Sequence, residues 1–101
     1  MSRRGRFTDL VERQLDLFAA DRAGLVSDTE AALRAYDRAD RDEAEERYGD
    51  YVDLADTGRD ALVELREAYA ETLEDDVADE YRNVFDRLAR KRFPRFGLEL
   101  D

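Results

Sequence analysis

The chain has 101 residues, of which 43% are hydrophobic and 44% charged, and its formal net charge is -10. A single domain of this length buries only a modest core, and one proline among abundant alanine, leucine, arginine and glutamate favours helices over sheets. There is no cysteine and no histidine, which excludes disulfides, thiol nucleophiles, Cys/His zinc sites and histidine acid–base catalysis.

No apolar run approaches the ~18 residues that span a bilayer, so no membrane segment is expected. Met1 to Arg6 is basic and lacks the apolar core of a signal peptide, which gives a cytoplasmic placement as the expectation. Charge is unevenly distributed. Residues 1–7 carry three arginines and residues 87–96 carry five bases, with no acids in either stretch. Setting aside those eight bases, together with Glu99 and Asp101, leaves 9 bases and 25 acids in residues 8–86, a net of -16.

Residues 1–7 read as a basic N-terminal tail. Thr8 is a candidate N-cap, and Asp9 and Glu12 suit the positive end of a helix dipole. From there Val11, Leu15, Phe18, Arg22, Leu25, Thr29, Ala32 and Tyr36 recur at steps of three and four, the signature of one helical stripe. The stripe keeps phase across Gly24, so one helix is expected over about 8–39, even though Ser27-Asp28-Thr29-Glu30 has the form of a capping box. Asp40 and Glu43 give a stronger restart signal, with a turn at 39–42.

A second helix follows over about 42–73, roughly 46 Å long at 1.5 Å per residue. Its stripe of Ala44, Tyr48, Tyr51, Ala55, Gly58, Leu62, Leu65 and Tyr69 mirrors the first, each pair of positions summing to 80. That symmetry predicts two antiparallel helices folded about residue 40. Glu74-Asp75-Asp76 interrupts the pattern, and Val77, Tyr81, Val84, Phe85 and Leu88 define a third helix over about 76–92, which Pro94 must end. Residues 93–101, with Phe96, Leu98 and Leu100, read as an extended tail that docks on an apolar surface.

The expected fold is therefore all-α: a long antiparallel helical hairpin with a shorter third helix, three-helix bundle-like, in one domain over 8–92. The third helix reaches back only to about layer 58. Leu25, Leu33, Tyr36, Tyr48, Tyr51, Val52 and Leu54 are left uncovered, and bare apolar layers of this kind mark interaction sites. Pairing two such halves would complete a four-helix layer. The expectation is a non-enzymatic helical interaction protein that forms a homodimer through this half.

Other constellations point elsewhere. Arg22 faces Gly58 with Arg92 nearby, a geometry suited to an anion or a partner carboxylate. Arg90, Lys91, Arg92 and Arg95, interleaved with Phe93 and Phe96, suit a protein partner with an acidic surface, while the acidic body argues against extended nucleic-acid contact. The pairs Glu43/Glu46 and Asp50/Asp53 could hold magnesium, as in an all-α nucleotide pyrophosphohydrolase. In a chain with 27 acids such spacings recur by chance, and they lie beside the stripe, so no catalytic, metal or cofactor residue is assigned.

Overall fold

The computed structural model describes residues 5–97. Among these residues all regular structure is helical: α1 (Thr8–Asp21), α2 (Ala23–Asp37), α3 (Arg41–Ala70) and α4 (Asp75–Arg92), followed by a 3₁₀ turn at Pro94–Phe96. The described molecule is elongated, 50 × 30 × 23 Å along its principal axes, with α3 supplying most of its length.

The helix expected over 8–39 is two helices that meet at Arg22. Arg22 leaves helical geometry, with φ -114° and ψ 27°. Its N–H still donates to the Phe18 carbonyl at 2.8 Å and its carbonyl accepts from Val26 at 3.0 Å. The hydrogen-bond ladder thus continues across the bend, which is why the sequence periodicity passes it unnoticed. Gly24 lies inside α2, and no loop separates the two helices. The bend sends the chain in two directions: α1 packs chiefly against α4, whereas α2 makes its main contacts with α3.

The turn after α2 spans 38–40, close to the expected 39–42 but with Arg41 and Asp42 already inside α3. Asp40 has the extended backbone of an N-cap, φ -71° and ψ 162°, and its carbonyl accepts from the Glu43 and Ala44 N–H groups. Its side chain makes no capping bond, so the expected capping box does not form. Thr8 is likewise the first residue of α1 rather than its cap. At the far end α3 stops at Ala70, three residues short of the expected boundary. The Thr72 hydroxyl donates to the Tyr69 carbonyl at 2.7 Å there, an interaction that competes with helical continuation. Asp75 and Asp76 occupy the first turn of α4, and Arg90, Lys91 and Arg92 its last, both favourable to the helix dipole.

The core lies almost wholly at one end. Its buried apolar residues come from 7–18 and 62–96, with Val11, Leu62, Tyr81, Phe85 and Ala89 fully enclosed. Phe7, expected in a solvated tail, is 6% exposed and meets the Tyr81 ring edge-on at 5.5 Å. Tyr69 also packs on Tyr81, with ring centroids 4.8 Å apart. The segment after α4 also differs from an extended tail. Phe93 and Phe96 are buried and pack edge-on to Phe18 at 5.2 and 6.1 Å. Each such ring contributes ~1.5–3 kcal/mol on burial, ample to hold a short segment. Leu98 and Leu100 lie outside the described residues, as do residues 1–4.

Candidate interaction surface

Between Arg22 and Thr57 Thr29 alone is buried. Its hydroxyl donates to the Leu25 carbonyl at 2.7 Å within α2, which satisfies the polar group without any outside partner. Two helices packed side by side present each other one stripe apiece, and the adjoining apolar flanks stay half open when no third element covers them.

The seven residues expected to form the uncovered face divide into two groups. Leu25 packs at the edge of the core, and Tyr51 is half-buried, its hydroxyl 3.5 Å from the Arg95 carbonyl. Tyr51 thus belongs to the part of the face reached by the C-terminal segment. Leu33, Val52 and Leu54 are also half-buried. Tyr36 and Tyr48 are the exposed members, at 36% and 51%. Their rings lie 5.2 Å apart, and Tyr48 lies 6.4 Å from Tyr51. The three tyrosines make a ladder running from the link between α2 and α3 down one side of α3.

The segment after α4 settles on this face from the core side. The Phe96 ring occupies the space above Gly58, where a side-chain Cβ would collide with it. Arg95 reaches Glu30 on α2 at 3.4 Å, and Val26 and Thr29 border a crevice of about 160 Å³ against Phe93–Phe96. The cover stops there. The tyrosine ladder continues beyond it.

The anion site expected at Arg22, Gly58 and Arg92 is not formed. Arg22 is exposed at the bend, the Arg92 guanidinium bonds the Asp16 carboxylate, and Phe96 fills the space at Gly58. Arg95 is taken by Glu30, while Arg90 and Lys91 are exposed at the end of α4. The bases grouped by sequence therefore point in separate directions. Among the described residues no group of three or more carboxylates converges to hold a metal ion, and the pairs Glu43/Glu46 and Asp50/Asp53 lie on exposed stretches of α3. No helix of the described residues is long and apolar enough to cross a membrane.

Periodicity missed a charged network on the opposite side of the core. Arg66 on α3 donates to Asp86 on α4 at 2.7 Å and to Glu67 at 2.8 Å, and Arg82 makes a forked contact to Glu67 at 3.0–3.2 Å. Burial pushes the Asp86 carboxyl above its usual range despite the bond from Arg66. Hydrogen bonds from Arg82 and Arg66 hold Glu67 below the usual range against its own desolvation. Desolvation opposes the Arg66 charge, but Asp86 and Glu67 outweigh it and raise the pKa. The network ties α3 to α4. The signal in the sequence was Asp86 beside the stripe residue Phe85, one helical turn from Arg82.

A second open surface lies between α1 and α3, a groove of about 410 Å³ bordered by Leu17, Phe18, Ala61, Leu65 and Ala68 among others. Leu17 projects at its rim with 65% of its surface exposed, more than any other large hydrophobic residue among those described. No known protein family, curated protein or solved structure matches the chain.

Proposed function

We propose that this protein is a helical interaction module that self-associates through the exposed face of the α2/α3 pair. The observation that carries the reading is the stretch from Arg22 to Thr57, in which Thr29 alone is buried while Tyr36 and Tyr48 stand open. In this arrangement α2 and α3 form an antiparallel hairpin whose core-distal half lacks a third layer. A two-fold pairing of two such halves supplies it as a four-helix layer and buries the same patch on both copies. Tyrosines suit such a surface, since each buries a large ring while keeping its hydroxyl wet.

Electrostatics set the conditions. Residues 31–57 carry four arginines and nine acids, a net of -5, so two copies repel each other at low ionic strength. The Debye length falls from ~30 Å at 0.01 M salt to ~8 Å at 0.15 M, so association should strengthen as salt is added. A basic partner on the same face would show the opposite dependence.

Sedimentation velocity of the intact protein and of Tyr48→Glu, each across a salt series, tests the reading. The expected result is self-association that salt favours in the intact protein and that is clearly weaker in the variant, which lacks this contact. A monomer at high micromolar concentration in 0.15 M salt overturns it. Adding magnesium and a nucleotide to a thermal melt tests the rival reading, a magnesium-dependent hydrolase built on the α3 acid pairs. A ligand-dependent rise in Tm would favour the enzyme.

A further inference from the structure

Leu17 stands at the middle of the exposed side of α1, with an arginine four residues before it and an aspartate four residues after. Arg13 and Asp21 are both exposed and neither is in an ion pair among the described residues. One helical turn carries each about 6 Å along the axis, in opposite directions from Leu17. An antiparallel copy of the same helix crossing at Leu17 reverses that order. Arg13 of each copy then faces Asp21 of the other, and Gln14 faces the small, exposed Ala20.

We infer that the α1 face centred on Leu17 is a self-complementary contact for a second copy of this chain. The two Leu17 side chains meet at the two-fold axis, over the α1/α3 grooves that Ala61, Glu64, Leu65 and Ala68 line from α3. Two reciprocal Arg13–Asp21 pairs fix the register. This interface differs in kind from the α2/α3 face: opposite charges meet across it, whereas the distal face brings like charges together. Isologous contacts require the same patch to complement itself, and a single apolar knob flanked symmetrically by unlike charges meets that requirement. Rim charges of this sort choose partner and orientation, while the apolar centre supplies affinity. With both faces in use, a copy contacts two neighbours and the protein assembles beyond a dimer.

The test uses the full chain carrying Tyr48→Glu, so that association through the distal face is removed and only the α1 face is read. The expected result is a residual dimer in sedimentation velocity. Arg13→Asp places two carboxylates opposite each other twice and should weaken the dimer by about tenfold or more. Adding Asp21→Arg to that variant restores opposite charges in reversed order and should restore the dimer. All three positions are exposed, and circular dichroism confirms that each variant folds. A Tyr48→Glu protein that is monomeric at high micromolar concentration overturns the inference, as does a doubly charge-swapped variant that stays as weak as Arg13→Asp alone. Failure of the distal-face reading shows separately, as a Tyr48→Glu protein that associates as strongly as the parent.

Discussion

Gly58 and Phe96 are fitted to each other: the glycine on α3 leaves the volume that the phenylalanine ring occupies, and a Cβ there would overlap three ring carbons. The ring cannot easily step aside, because it is 3% exposed and wedged against Phe18 and Phe93. Gly58→Ala should therefore destabilise the protein by ~1–3 kcal/mol through overpacking, and Phe96→Ala by ~3 kcal/mol through the cavity it leaves. The two effects should be strongly coupled. In a Phe96→Ala background the added methyl has room, and Gly58→Ala should be neutral or gain up to ~1 kcal/mol of helix propensity. Chemical denaturation of the four proteins measures the cycle, and an equal cost of Gly58→Ala in both backgrounds would contradict the contact.

Glycines elsewhere in the helices should behave in the opposite way. A Cβ on Gly24 or Gly49 meets nothing within 4 Å, and neither has a positive φ. Gly49→Ala, in the interior of α3, should raise stability by ~1 kcal/mol. Gly24→Ala, at the second residue of α2, should raise it by less. Thermal melts at fixed protein concentration read both, the concentration being held because association also shifts Tm. A clear loss of stability in either variant would mean that the position is packed against something.

The ion pair between Arg66 and Asp86 should be costly to cut and cheap to replace. Asp86→Ala leaves Arg66 largely buried with Glu67 as its remaining partner, and should cost ~2–4 kcal/mol. Replacing both residues with apolar side chains of similar volume should cost clearly less than the sum of the single changes. Additive losses in urea titrations would show that the two groups act independently.

Tyr81 should impose an alkaline limit on the fold. Burial pushes its phenol up to about 12 although Gln14 accepts its proton at 2.7 Å. A folded pKa above the unfolded value of about 10 means that the native state holds its proton more tightly. This contribution is fully present below pH ~10 and is lost as pH rises towards about 12. Tyr81→Phe loses the bond to Gln14, about 1 kcal/mol at neutral pH, but it lacks that alkaline component. Denaturant midpoints taken from pH 8 to 11.5 should fall less steeply in the variant than in the parent, and parallel curves would reject the assignment.

The amino-acid sequence by itself determined that the chain is helical, that it breaks near residue 40 and again near residue 75, and that Tyr36 and Tyr48 lie where little covers them. These are local properties. Helical periodicity, the extended backbone of a residue before a helix and the position of Pro94 depend on neighbours a few residues apart, and those neighbours are written side by side. The bend at Arg22 was hidden because one residue out of helical geometry breaks neither the hydrogen-bond ladder nor the spacing of the stripe. Only packing reveals it, in the divergence of α1 towards α4 from α2 along α3. The partner of Gly58 was equally hidden: a glycine on an apolar stripe reports an empty volume without saying what fills it, and Phe96 lies 38 positions away in sequence. Arg22 and Arg92 looked like one anion site because the stripe symmetry brings both near Gly58, and Arg92 and Arg95 looked like one basic surface because they are close in sequence. Tertiary contacts decided otherwise, since each long side chain takes the acid its own position can reach, Asp16 for Arg92 and Glu30 for Arg95, and the bend leaves Arg22 in solvent.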